Sequence, residues 1–391
     1  MRYDKAFFDA GIDRRNTGCV KWDVSEVIGE GGIPMWVADM DFAAAAPIVE
    51  AIEGRAAHHC YGYNQDCADN ERTFCAFWQR RHGLAIQPEQ TMMLPCVVTG
   101  LKLCVRTFTE KGDKVAIFAP VYGPFSASIR VNGRQVVSVP LLRNEKTGHV
   151  DMNLAGMEEA LKDGVKLILL CNPHNPVARL WRRAELQALC QLARQYGAKI
   201  VSDEIHADFV YKPEVFTPLL SLPEAADCTV MLASASKTFN IAGLQQAELV
   251  CFSQEMLDRL RHESEAAGIT SGNTFAMVAT RAAYTQCDDW LDGILAYLDE
   301  SRAILRQELE KTLPKAVMGP IEATYLAFID LRAYGITSAE LKKRFKENGV
   351  ALNEGTAFGP EGEGFMRLNF GCPHAWLREG VHRMGVALNG K

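Results

Sequence analysis

Long apolar runs are missing from this 391-residue chain. The longest, Val165 to Cys171, is interrupted by Lys166 and falls far short of the roughly 18 residues that a membrane span requires. No Cys-x-x-Cys pair occurs among the 12 cysteines, which argues against zinc knuckles and thioredoxin-like redox sites. The pairs Cys171-x-x-His174 and Cys372-x-His374 are too sparse for a metal centre, and no metal is expected. Neither sign of charge dominates: 42 Lys and Arg stand against 48 Asp and Glu, a net charge of −6. That balance argues against a dedicated nucleic-acid or anionic-membrane surface. The opening stretch, MRYDKAFFDAGIDRRNTG, has no apolar core and no small-residue cleavage site. A secretory leader is therefore not expected, and a cytoplasmic protein with reduced thiols is. Gly (31) and Pro (16) are at ordinary levels, and low complexity is confined to Ala43 to Ala46. Collagen-like, disordered and membrane-bundle classes are excluded.

What is present is an alternation. Apolar, β-rich runs at Lys114 to Ala119, Gln135 to Val139, Lys166 to Cys171, Ala198 to Ser202, Thr229 to Ala233 and Glu248 to Phe252 predict strands. Several are nearly continuous in hydrophobicity, as in a sheet covered on both faces by helices. Arg183 to Tyr196 sets Leu186, Leu189, Leu192 and Ala193 on one helix face. Strand alternating with helix predicts an α/β fold with a doubly wound, mostly parallel sheet. The C-terminal third reads differently, with a helix over about Asp289 to Lys311, a strand at Tyr325 to Asp330, and helices near Ser338 to Asn348 and Trp376 to Leu388. The expected division is a large domain of residues 46–289 and a smaller α+β domain of 1–45 plus 290–391.

The strand Thr229 to Ala233 runs into Ser234-Ala-Ser-Lys237-Thr-Phe-Asn240. In open α/β sheets, ligands bind outside the carboxyl ends of strands, and a lysine there can form an imine with a carbonyl cofactor. The preceding strand ends in Asp203-Glu204-Ile205-His206, and the one before that in Cys171-Asn172-Pro173-His174-Asn175-Pro176. Three successive strands thus bring Asn175, Asp203 and Lys237 to one sheet edge. That set suits pyridoxal 5′-phosphate: a lysine for the aldehyde, a carboxylate for the pyridine nitrogen, and an amide for the ring hydroxyl. His206 fits either a partner near such a cofactor or a satisfied core histidine.

Here a resemblance becomes specific. The stretches KWD (Lys21 to Asp23), MWVADMDF (Met35 to Phe42), YGYN (Tyr61 to Asn64), APVYGPF (Ala119 to Phe125), CNPHNP, SDEIH, SASKTFNIAGL, TYLAFID (Thr324 to Asp330) and FMRLNFGCP (Phe365 to Pro373) occur in one order along the chain. Together they resemble the fold-type I pyridoxal-phosphate enzymes of the aminotransferase class I/II superfamily. The match is to the branch of cystathionine β-lyases and related C–S lyases, the MalY/PatB type.

The resemblance implies a role for each of a set of residues. Lys237 would be the Schiff-base lysine and the base that removes the α-proton. Asp203 would hold the pyridine nitrogen protonated, Asn175 would donate to the ring oxygen, and Tyr122 would stack on the ring. The amides of Val97 and Val98, just before a helix expected over Thr99 to Lys111, would bind the phosphate with the hydroxyls of Ser234 and Ser236. Tyr63 would reach the phosphate of a neighbouring subunit in a homodimer. Arg367 would take the substrate carboxylate in a bidentate pair, with the backbone around Ala38 and Asp39 closing over the substrate.

Three departures stand out. The usual His-Asn-Pro-Thr-Gly is His174-Asn175-Pro176-Val177-Ala178 here, Cys96 replaces the glycine that opens the phosphate loop, and Gln245 stands where aminotransferases carry an arginine. The implied activity is α,β-elimination from cystathionine, cysteine or another cysteine S-conjugate, giving a thiol, pyruvate and ammonia. An aminotransferase, and a pyridoxal-binding regulator, are the alternatives. A regulator of this fold commonly carries an N-terminal helix-turn-helix, for which the first ~45 residues leave no room.

Overall fold

A computed structural model describes residues 3–24, 31–64, 68–269 and 272–390. Its centre is a seven-stranded sheet of β1 (Thr91–Leu94), β2 (Lys114–Ala119), β3 (Gln135–Pro140), β4 (Val165–Cys171), β5 (Lys199–Asp203), β6 (Thr229–Ala233) and β7 (Ala247–Cys251). The spatial order is β1-β7-β6-β5-β4-β2-β3. Strands β6, β5, β4, β2 and β3 are mutually parallel, and β7 is antiparallel to both β6 and β1. The six expected strands lie within a residue or two of these bounds. The four-residue β1 lies outside the expectation.

The near-continuous hydrophobicity has a direct consequence in the packing. Side chains alternate across a strand, so a fully apolar strand feeds two cores. Ala116, Phe118, Ile168, Leu170 and Ile200 enter one core, which also takes the expected helix face of Leu186, Leu189 and Ala193. Their neighbours Val115, Ile117, Leu167, Leu169 and Val201 enter a second core on the opposite face. Each fully buried side chain of this size stabilises the fold by about 1.5–3 kcal/mol. The second core is roofed by the helix Val97–Phe108, which crosses the sheet closely. A Cβ added at Gly100 would meet a methyl of Leu232 at 2.7 Å, so that approach requires glycine.

A second sheet, entirely antiparallel, consists of β8 (Val317–Met318), β9 (Leu326–Asp330), β10 (Asn353–Glu354) and β11 (Phe365–Asn369) in the order β8-β9-β11-β10. The helices Asp288–Thr312 and His374–Asn389 pack beside one another in this part of the chain. Near the N-terminus, Ile33–Pro34 pairs with Val350–Ala351, which carries the following segment into the cleft between the two sheets. No helix of the described residues is long and apolar enough to cross a membrane.

Candidate active site

Three adjacent strands end at one edge of the large sheet, and the turns leaving them build the cleft. β5 ends on Asp203, in register with Cys171 at the end of β4. After β4 the chain turns through Asn172 to Asn175, and after β6 it passes Ser234 into the short helix Ala235–Thr238, which carries Lys237. Ser234 caps that helix, accepting from the Ser236 N–H at 3.0 Å and donating to the Gln246 carbonyl at 2.6 Å. Its single hydroxyl hydrogen is thereby engaged with backbone.

Asp203 is buried and accepts the Ile205 N–H at 3.1 Å. Burial raises its pKa from 3.8 to about 7, with Lys237 opposing. Desolvation disfavours the charged form of any carboxyl group, so this one calls for a cation. Lys237 shows the converse: burial lowers its pKa from 10.5 to about 8, against the pull of Asp39. A lysine with that pKa has a substantial neutral, nucleophilic fraction near neutral pH. Its Nζ donates to the Ala38 carbonyl at 2.6 Å, as does the Tyr325 hydroxyl at 3.0 Å.

Asn175 and Tyr122 are joined through backbone, the Tyr122 N–H donating to the Asn175 carbonyl at 3.1 Å. Burial, and then Asp203, raise the pKa of the Tyr122 phenol. Arg367, on β11, donates through Nη1 to Asn175 Oδ1 at 3.2 Å, which leaves the amide NH2 of Asn175 free to donate elsewhere. Its Nη2 donates to the Trp36 carbonyl at 2.5 Å and to Asn353 Oδ1 at 2.6 Å, its Nε is buried without a partner among the described residues, and Phe358 lies 4.8 Å below the guanidinium. Burial lowers its pKa to about 10.

The segment Trp36 to Met40 lies across the cleft with every carbonyl engaged by a side chain. Besides the bonds from Arg367 and Lys237, Asn369 donates to the carbonyls of Val37 and Asp39, and Asn240 and Arg14 to that of Met40. The Asp39 carboxylate is turned into a bidentate pair with Arg14 at 2.9 and 2.7 Å. Beneath it, Lys21 and Asp41, both about 1% exposed at the side chain, meet at 2.7 Å.

Val97 and Val98 occupy the first two positions of the helix Val97–Phe108, which starts two residues earlier than its expected bound at Thr99. Cys96, the N-cap, makes no side-chain cap bond and is fully extended at φ −163°, a conformation open to any residue. Replacing glycine by cysteine there costs no backbone strain. The altered turn is different, because Ala178 takes φ +58°, the left-handed region that favours the glycine usual at this position. Gln245 is exposed. Tyr63 stands fully exposed, outside the cleft. His206 is buried edge-on to Tyr325, 5.9 Å between centroids, with Nδ1 unpartnered among the described residues. Burial, then Lys237 and Arg367, lower its pKa to about 3. A pKa that low keeps the ring neutral near pH 7.

Tyr325, Asn353, Asn369 and the Arg14–Lys21–Asp41 cluster escaped sequence reasoning. Lys21, Asp41, Tyr325 and Asn369 stand inside stretches already singled out, but nothing local shows what they touch.

Comparison with known proteins adds four likenesses. The family described as aminotransferase class I and II matches residues 43–384. Cystathionine beta-lyase PatB of Bacillus subtilis (strain 168) is 41% identical over 392 residues, covering 98% of this chain and 100% of its own. Among solved structures, cystalysin of Treponema denticola, which contains pyridoxal 5′-phosphate, agrees with a TM-score of 0.94 at 29% identity over 100% of both chains. The PLP-bound C–S lyase of Staphylococcus hominis agrees with a TM-score of 0.90 at 31% identity over 97% of each chain.

Proposed function

This chain belongs to the aminotransferase class I and II family, and from that we propose that it is a pyridoxal 5′-phosphate-dependent carbon–sulfur lyase. Its substrates are cystathionine, cysteine or a related cysteine S-conjugate, and its products a thiol, pyruvate and ammonia. The observation that carries the reading is one sheet edge where Lys237, Asp203 and Asn175 meet beside Arg367, a buried guanidinium with only neutral partners among the described residues.

The residues fit the cofactor. Asp203 is a buried carboxyl group with a raised pKa and no ion pair among the described residues, so a protonated pyridine nitrogen is the partner its burial calls for. When bound, the cofactor supplies an aldehyde for covalent attachment and a ring that takes up the electrons released at the substrate α-carbon. Lys237 would be the attachment point for the cofactor and the base for the substrate α-proton. Its lowered pKa suits both tasks. Tyr122 would cover the ring, and the NH2 of Asn175 would donate to the ring oxygen. The free N–H groups of Val97 and Val98, with Ser236, hold the phosphate. Ser234 joins them only if its hydroxyl turns away from Gln246. Arg367 takes the substrate carboxylate, and the backbone at Ala38 and Asp39 closes over it. The thiol leaving group needs little help, since a thiolate is a weak base and departs readily.

The same reading makes the protein a cytoplasmic homodimer, with residues 46–289 as the cofactor domain and 1–45 plus 290–391 as the smaller one. Support comes from the cysteines, which among the described residues are all free thiols, and from the full exposure of Tyr63, available to a partner's phosphate site. Incubation with L-cystathionine, and separately with L-cysteine, tests the activity. Thiol, pyruvate and ammonia should appear with no 2-oxo acid present. Pyruvate appearing only with such an acceptor would mark an aminotransferase instead.

A further inference from the structure

We infer that Asn353 keeps the carboxylate-binding charge of Arg367 available, and is thereby a positioning residue that sets affinity for the substrate carboxylate. The inference rests on the proposed role of Arg367.

The argument begins with register. β10 and β11 are antiparallel, and Asn353 stands directly opposite Arg367. The residue opposite Arg367 on the other side is Phe328, on β9. Cross-strand neighbours are the first partners available to a strand side chain, and for arginine an acidic neighbour forms an ion pair. Here neither neighbour is acidic. Asn353 Oδ1 accepts from Nη2 at 2.6 Å, satisfying a hydrogen without neutralising the charge. The other contacts are an amide oxygen of Asn175, the Trp36 carbonyl and the Phe358 ring, all uncharged.

The adjacent residue sharpens the point. Glu354 follows Asn353 directly, and strand alternation turns it to the other face, where it pairs with Lys342 at 3.0 Å. A carboxylate is thus one position away from the site and is directed out of it. Three other half-buried or buried cations do meet acids: Arg14 with Asp39, Lys21 with Asp41, Arg179 with Glu322. Arg367 is buried as deeply and, among the described residues, is left to neutral oxygens. A guanidinium desolvated in this way favours an incoming carboxylate strongly, because an unpaired buried charge is costly.

Asn353→Asp, almost isosteric, places a carboxylate where the amide oxygen now sits, as an internal competitor for the substrate. Steady-state kinetics of the cofactor-loaded enzyme with L-cystathionine should show KM raised at least about a hundredfold, with kcat reduced far less. Asn353→Ala removes the hydrogen bond but adds no charge, and should raise KM by less than about tenfold. In thermal melts of the cofactor-free protein, Asn353→Asp should unfold no lower than Asn353→Ala, since it gains an ion pair with Arg367. Equal KM effects from the two variants, or an unchanged KM in Asn353→Asp, would overturn the inference. Arg367→Gln separates it from its premise. If Arg367→Gln raises KM and Asn353→Asp does not, the carboxylate site stands and the role of Asn353 falls. If Arg367→Gln leaves KM unchanged, both fall.

Discussion

Replacing Asp203 by asparagine should make the cofactor-free protein more stable and the cofactor-loaded protein much weaker, and both effects follow from the same burial. Folded, Asp203 binds its proton more tightly than in the unfolded chain, with a pKa of about 7 against 3.8. Below the lower value both states are protonated and the group has no effect on stability. As the pH rises from 3.8 towards 7, the unfolded chain releases this proton first, so folding loses stability. About three units at 1.36 kcal/mol each give a cost of about 4 kcal/mol, fully developed above pH 7. Asparagine carries no charge to desolvate. At the average unfolding entropy of about 2.1 cal/mol/K per residue, 4 kcal/mol corresponds to about 5 °C for a chain of 391 residues. Cofactor-free Asp203→Asn should therefore melt about 5 °C above the parent at pH 8, and the two should converge at pH 4. Cofactor affinity should move the other way, by about 3–5 kcal/mol, because the pyridinium loses a buried counter-charge. Calorimetric melts at the two pH values, with a spectroscopic titration of pyridoxal 5′-phosphate, check both halves. A variant no more stable than the parent at pH 8, or one that binds the cofactor as tightly, would refute the reasoning.

Arg367→Lys keeps the charge but loses the planar fork, and kcat/KM for L-cystathionine should fall by about 2–4 kcal/mol in transition-state terms; an unchanged value would move the carboxylate site elsewhere. Lys21→Met should lower stability by about 3 kcal/mol in denaturant titrations, because it leaves the buried Asp41 with one cation fewer, and a neutral result would show the cluster to be dispensable. Lys237→Ala and Tyr63→Ala should each be inactive, yet mixing the two should restore activity through heterodimers. A strictly monomeric active enzyme would contradict the shared site.

The sequence carried the backbone plan and the three residues at the strand ends. A strand covered on both faces is apolar throughout, an amphipathic helix repeats at its own period, and both signals lie within a dozen residues. The sharp change from an apolar run to Asp203, or to the serines before Lys237, marks a strand end in the same local way. The strand Thr91–Leu94 was not legible because four residues are too few to establish a period. Ordered motif resemblance added Arg367 and Tyr122, but not their surroundings. Asn175 and Arg367 are 192 residues apart, and Trp36 and Arg367 331 apart. Only the closing of the second sheet against the first brings them together. Whether Asn353 or Glu354 faces the guanidinium depends on a register set by the whole sheet. The proton affinities of Asp203 and Lys237 likewise come from the water that surrounding layers exclude. Periodicity is a property of neighbouring residues and can be read from them, whereas desolvation and charge pairing depend on every element that closes over a site, so the tertiary structure alone decided them.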